Sequence, residues 1–291
     1  MTKIVCSGEN LKQALTKVIT CVDPREIRRA ITGVFFKWSG ENLAVTGTNG
    51  IRLLEISIPL EENTGDGSFI LKFGSAKALI RTLRKHRNAK LYVFSDGRVR
   101  SFTKENSFVF IGTLIPVKYP DYQSLLEAAI DTRIEIGLKN FLEGLKEILP
   151  NVDPEDNNRL SIAGHGTFFS ITHDVYLHRF NGISVDGARL LVDLNGHFLD
   201  RLLRNLPDGM MMISHALDRT YVLFTIGKVR ALLTALRSRE LNPERYEECK
   251  GRSREAGSAR VEVDGQFVTK GNARFCVFGG KAEDFARAIS G

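Results

Sequence analysis

Along this chain the spacing of apolar residues passes four times from the two-residue period of a strand to the 3.6-residue period of a helix and back. The first passage runs from strand-like Lys3–Ser7 into a helix from about Glu9 to Val22, where Leu11, Leu15, Val18 and Ile19 share one face. Strands are predicted next at Gly33–Trp38, Asn42–Thr46 and Ile51–Ile58, from alternation and β-branched content. The second passage has a strand at Ser68–Lys72, a helix from about Ser75 to Lys85, and strands near Lys90–Phe94, Arg98–Thr103 and Ser107–Leu114. The third has Arg133–Ile136, a helix from about Leu138 to Leu149 stopped by Pro150, and strands at Arg159–Ala163, Thr167–Thr172 and Tyr176–Asn181. The fourth has Arg189–Leu194, a helix from about His197 to Leu206 stopped by Pro207, and strands near Met210–His215, Thr220–Thr225 and Val229–Leu236.

The chain is therefore a fourfold repeat of a β-α-β-β-β unit with a period of roughly sixty residues. One such unit leaves a sheet side and a helix face uncovered, so the units must pair. Pairing gives an α+β protein of two domains, residues 1–128 and 131–237, with helices on one face of the sheets and the acidic stretch Glu127–Asp131 as joint. Turn signals at Ser39-Gly40, Thr48-Asn49-Gly50, Asp96-Gly97 and Gly164-His165-Gly166 support the strand count. Residues 238–291 lie outside the repeat. They read as an Arg- and Glu-rich linker to about Arg260, strands at Arg260–Val263, Gln266–Lys270 and Arg274–Phe278, and a short helix near Glu283–Ile289.

Composition places the chain among folded proteins: 43% of its residues are apolar, 26% are charged, and 18 are Phe. No run approaches the roughly 20 apolar residues of a membrane span, so no membrane association and a cytoplasmic location are expected. Cys6, Cys21, Cys249 and Cys276 stand singly, without metal-type spacing, and read as reduced thiols. A net charge of +7 points to an acidic partner, and its placement is more telling than its sum.

The helices carry that placement. On the second, Lys77, Arg81, Arg84 and Lys85 lie opposite Leu79, Ile80 and Leu83, with no acidic residue on the basic face. The first puts Lys12 and Lys17 away from its apolar side, and the fourth sets Arg201 and Arg204 beside Phe198, Leu199, Leu202, Leu203 and Leu206. The third carries Lys139 and Lys146, with Glu143 between them. Each helix alone reads as an ordinary solvated face. Repeated over four units, the pattern suits phosphate contacts that hold a duplex without reading its bases.

Candidates for catalysis are few. His173-Asp174 has the form of a metal-hydrolase pair but lacks further ligands, and Ser161, Ser184 and Ser214 have no Gly-x-Ser-x-Gly elbow. Gly47-Thr48-Asn49-Gly50 lacks the Lys-Ser/Thr ending of a phosphate loop and leads into a strand, which makes it a hairpin turn. No catalytic residue, metal or cofactor is expected.

Two segments resemble the bacterial DNA polymerase III beta subunit, the sliding clamp family. Thr46-Gly47-Thr48-Asn49-Gly50-Ile51-Arg52-Leu53 is similar to the family's Ala-Thr-Asp-Gly-x-Arg-Leu turn and strand. Leu114-Ile115-Pro116-Val117-Lys118-Tyr119-Pro120-Asp121-Tyr122 is similar to its Leu-Ile-x-Gly-x-Phe-Pro-Asp-Tyr segment. The resemblance implies two DNA-clamp (processivity-fold) domains, like the family's middle and last, plus a small C-terminal extension. It also implies helices lining a hole for duplex DNA, and a DNA polymerase and clamp loader that dock a short hydrophobic peptide in an apolar pocket. Carried over by position, that pocket takes Thr48, Gly50, Arg52 and Leu53 from the first motif, Pro120 and Leu125 from the second, and Leu233 and Leu236 from the last strand. Asn49 replaces the usual Asp, Ile51 and Ser124 differ from common pocket residues, and the chain continues past Arg237. The family has three domains per chain, so a six-domain ring of two-domain chains requires a homo-oligomer of three copies. The alternatives are a clamp-like module that does not encircle DNA, whose extension covers the pocket or blocks an edge strand, and a nucleic-acid enzyme dependent on His173 and Asp174.

Overall fold

The structure is a computed structural model that describes residues 2–83, 88–94, 98–102, 108–173, 176–217, 219–236, 260–263, 267–270 and 273–278. The chain divides into two compact units, Met1–Glu127 with Thr225–Leu232, and Ala128–Phe224 with Leu233–Gly291.

Unit 1 begins β1 (Thr2–Ser7), α1 (Gly8–Val18), β2 (Gly33–Ser39), β3 (Asn42–Thr48), β4 (Arg52–Asn63). It repeats the pattern with β5 (Gly67–Lys72), α2 (Phe73–Leu83), β6 (Asn88–Phe94), β7 (Arg98–Phe102) and β8 (Phe108–Thr113), and a short α3 (Gln123–Leu126) follows. Strands pair antiparallel in the order β5, β2, β3, β4, β1, β6, β7, β8. β4 is long enough to serve two neighbours: Leu53 to Pro59 face β3, and Leu60 to Asn63 face β1 with a register shift between Val5 and Cys6. Past β8, a bridge from Leu114 to Leu71 brings the chain back against β5.

Unit 2 repeats the plan with β9 (Thr132–Gly137), α4 (Leu138–Ile148), β10 (Arg159–Gly166), β11 (Phe168–His173), β12 (Tyr176–Arg179), β13 (Val185–Asn195), α5 (Gly196–Leu203) and β14 (Met210–His215). β15 (Tyr221–Ile226) and β16 (Val229–Thr234) complete the fourth repeat. The pairing order is β12, β11, β10, β13, β9, β14. β13 divides its partners as β4 does: Val185 to Gly187 face β9, and Leu190 to Asn195 face β10. At that division Gly187 has φ +90°, and a Cβ there would stand 2.0 Å from the Asp131 carbonyl oxygen, so only glycine fits. Beyond the repeat, β17 (Arg260–Val263), β18 (Phe267–Lys270) and β19 (Ala273–Phe278) form, and β19 pairs in parallel with β12. The expected helix at Glu283–Ile289 lies outside the described residues.

The four repeat helices, α1, α2, α4 and α5, each start on the residue after a strand, so strand ends stand at the N-cap position. Ser7 Oγ accepts from Asn10 N at 3.3 Å, and Asn195 Oδ1 accepts from Phe198 N at 2.9 Å. The helices are shorter than their apolar spacing suggests. α1 tightens at Ile19–Cys21 and α4 at Leu149–Asn151 into single 3₁₀ turns, the second carrying Pro150. Leu11, Leu15 and Val18 of α1 are fully buried in unit 1, as are Phe36, Leu43 and Leu54 of its strands. In unit 2, Phe141 of α4 stacks on Phe180 at 5.4 Å and Phe180 on Phe169 at 5.2 Å, joining helix to sheet. In each unit the apolar helix faces pack inward, α1 touches α2, and α4 touches α5, which leaves the polar helix faces outward.

Candidate DNA-facing and partner-binding surfaces

The outward helix faces hold the basic residues expected from the sequence. On α2, Lys77 and Arg81 are exposed opposite buried Ala76, Leu79, Ile80 and Leu83, and Lys77 Nζ lies 4.5 Å from the Phe73 ring centre. Arg84 and Lys85 lie outside the described residues. On α1, Lys17 is half-buried and has no acidic partner among the described residues, while Lys12 is tied to Glu9 at 2.9 Å. Hydrogen bonds from Lys12 and Gln13 hold the Glu9 carboxyl below its ordinary range. On α4, Lys139 meets Asp208 at 3.2 Å and Lys146 is exposed without an ion pair to a described residue. On α5, Arg204 pairs with Asp200 at 2.8 Å and Arg201 is exposed and unpaired among the described residues. Among the described residues, Lys17, Lys77, Arg81, Lys146 and Arg201 have no ion-pair partner, and each main helix carries at least one of them.

The first resemblance motif forms the turn from β3 to β4. Asn49 closes it with its side chain, Oδ1 accepting from Ile51 N at 3.1 Å and from Arg52 N at 3.0 Å, while the Thr48 hydroxyl donates to Arg52 O at 2.8 Å. Gly50 has φ +85°, and a Cβ there would come within 2.2 Å of the Arg28 guanidinium. Arg52 reaches back to donate to Thr20 O at 2.8 Å, and Leu53 is buried.

Tyr122 carries the second motif to the first. Its hydroxyl donates to Glu55 Oε2 of β4 at 2.7 Å and lies 2.9 Å from Thr46 Oγ1 of β3. Burial, and then the neighbouring Glu55 carboxylate, push the phenol pKa up, so it stays a donor. Glu55 is fully buried, and Arg230 answers its charge with Nε at 2.9 Å and with Nη2. Thr46, Glu55, Tyr122 and Arg230 form one network inside unit 1, and Tyr122 O accepts from Leu125 N at 3.1 Å. Pro120 is exposed and Leu125 half-buried beside this anchor. Leu233 and Leu236 belong to unit 2, the first buried and the second half-buried.

Sequence reasoning missed Glu55 and Arg230. A single carboxylate inside the apolar run Leu53–Ile58 was the signal for the first, and nothing in the sequence marked its partner 175 positions away. The sequence also gave no warning of a groove of about 650 Å³ lined by Phe35, Lys37, Phe69, Ile115, Tyr119 and Pro120. It runs between β2 and β5 on one side and the second motif on the other, with Tyr119 stacked on Phe35 at 4.3 Å. Of the expected pocket residues it includes Pro120.

His173 is buried with Nδ1 2.7 Å from Arg159 O, and Asp174 lies outside the described residues. Ser161 donates to Asp193 at 2.5 Å. Among the described residues no group of three or more His, Cys, Asp and Glu could hold a metal, and no helix is long and apolar enough to cross a membrane. Burial raises the thiol pKa of Cys6 to about 12 and of Cys21 to about 11, which leaves both inert.

Repeated β-α-β-β-β units, paired within each compact body and with two neighbouring helices presenting their polar faces, define a DNA-clamp fold. Residues 6–121 match the family model of the DNA polymerase III beta subunit, central domain. The beta sliding clamp of Salmonella typhimurium is 26% identical over 113 residues, 39% of this chain and 30% of that protein. That of Rickettsia bellii is 24% identical over 143 residues, 48% of this chain and 38% of that protein. The aligned region thus spans little more than a third of these relatives at most. Among solved structures, the DNA polymerase III beta subunit of Thermotoga maritima superposes with a TM-score of 0.74 at 16% identity, over 81% of this chain and 66% of that one. The sliding clamp of Bacillus subtilis gives 0.72 at 18% identity, over 81% and 64%. This likeness reaches well past residue 121, so the clamp fold extends into the second unit.

Proposed function

We propose that this chain is a DNA sliding clamp, a processivity factor in which copies of the chain enclose duplex DNA and tether a DNA polymerase, with no catalytic site or cofactor of its own. Its two clamp-like domains, 1–128 and 131–237, correspond to the middle and last domains of the family, and three copies complete a six-domain ring in the cytoplasm. The supporting observation is the set of cations Lys17, Lys77, Arg81, Lys146 and Arg201, without an ion-pair partner among the described residues, on the polar faces of the paired helices. Lys12, Lys139 and Arg204 add further charge to α1, α4 and α5, and the sequence adds Arg84 and Lys85 after α2. Long flexible cations on helix faces hold phosphates without reading base edges, which lets a ring slide. Polymerase and loader dock a short hydrophobic peptide at the turn of Thr48, Gly50, Arg52 and Leu53, with Pro120, Leu125, Leu233 and Leu236, and tethering acts by raising local concentration.

Titrating the chain against two unrelated duplexes of equal length at several salt concentrations tests this reading. Equal affinities that fall linearly on a log-log plot are expected. A strong preference for one sequence, or no binding at low salt, would overturn it.

A second reading, a clamp-like module that does not encircle DNA, is favoured by one observation: an edge strand of unit 2 is already occupied by β19.

A further inference from the structure

The fourfold repeat gives each strand a counterpart, and one pair of counterparts is treated differently in the two units. β4 closes the first repeat and β12 closes the third. Each has the preceding strand on one side, β3 for β4 and β11 for β12. On its other side β4 takes the segment around Lys228 to Arg230: Ser57 N donates to Lys228 O at 3.1 Å, and Glu55 bonds Arg230. Ser57 with Lys228 and Glu55 with Arg230 place that segment antiparallel to β4. This segment opens β16, the last strand of the fourth repeat.

The same side of β12 takes β19, in parallel, with Tyr176 opposite Cys276, Leu177 opposite Val277 and His178 opposite Phe278. The repeat assigns this edge another partner. Since β4 accepts the last strand of the fourth repeat, the strand suited to β12 is the last of the second repeat, β8. Within its own unit β8 is laddered to β7. One copy offers one β12 edge and one β8, so joining them between copies is head-to-tail and can close a ring.

We propose that β19 is an internal plug: it fills the edge of β12 that β8 of a second copy would otherwise take, and so holds the chain as a monomer until the extension 238–291 is displaced. This rests on the ring reading given above and adds its control. An open strand edge invites pairing and is commonly covered, so a cover built into the chain is a physical need for a free two-domain clamp. Parallel pairing is slightly weaker per residue than antiparallel, and β12 has only four residues, so the plug is displaceable by an antiparallel strand.

The test is molar mass by light scattering over a range of concentrations in moderate salt, on the full-length chain and on its Val277→Pro variant. Val277 is the middle of the three β12–β19 pairs and is flanked by Leu177 of β12 and Val263 of β17, a position in which a strand does not accommodate proline. The wild-type chain is expected to stay monomeric, and the variant to gain mass with concentration toward three copies. Adding Leu177→Pro, which spoils the receiving edge itself, should return the variant to a monomer. An oligomeric wild type, or a Val277→Pro chain that remains monomeric while folded by circular dichroism, overturns the proposal. If the variant is insoluble, backbone hydrogen exchange of the wild type decides: slow exchange at the β12 amides that point away from β11 supports the plug, and exchange there as fast as in an unpaired edge overturns it. Duplex binding at low salt is measured on the same samples. Binding retained without the mass change defeats the plug alone, and binding absent from every sample defeats the sliding reading alone.

Discussion

Glu55 shows what a single residue can fix. It is fully buried on β4, and three elements meet on its two oxygens: Tyr122 on Oε2, Arg230 on Oε1, with Thr46 close by. A carboxylate taken out of water must be answered by donors at close range, and removing one partner leaves the charge uncompensated. Arg230→Met should therefore lower unfolding free energy by about 3 kcal/mol or more, read from the urea midpoint with unchanged slope. Replacing Glu55 and Arg230 together by apolar residues should recover much of that loss, because the desolvation penalty of both charges disappears with them. A loss in the double variant equal to the sum of the two single losses would show that the pair is not coupled.

At the scale of elements, the helices do two jobs on opposite faces. The apolar face of α2, with Ala76, Leu79, Ile80 and Leu83, fixes it in unit 1, while Lys77 and Arg81 on the other face carry no ion pair to a described residue. Changing both to Glu alters only the exposed face, so the fold should be retained. If these two cations contact phosphates, the double variant should bind duplex DNA more weakly at low salt, and the slope of log affinity against log salt should shrink by about 2. Fluorescence anisotropy at several salt concentrations gives both quantities. An unchanged slope would remove α2 from the DNA surface. The basic spacing was legible in the sequence because helix geometry alone puts residues 77 and 81 on one face. Which cations are already neutralised was not: Asp208 reaches Lys139 from the loop before β14.

At the scale of the whole molecule, unit 1 is not a continuous stretch of chain. It is completed by Thr225–Leu232, which follows residues Ala128–Phe224 of unit 2 in sequence and supplies Arg230 to Glu55. A fragment of residues 1–127 lacks that segment, so it should unfold at lower urea than unit 1 does within the full chain. Equal midpoints would mean that the returning segment adds nothing. The sequence by itself determined the β-α-β-β-β repeat, the α+β class, the helix faces and the turn at Thr48 to Arg52. Each of these rests on local periods and on the side-chain chemistry of a few neighbouring residues. Only the tertiary structure decided that β4 and β13 each divide their length between two neighbours, that Glu55 is paired with Arg230, and that β19 lies along β12. These join residues tens to more than a hundred positions apart, where strand pairing depends on which edges meet in space, and no local period records that choice.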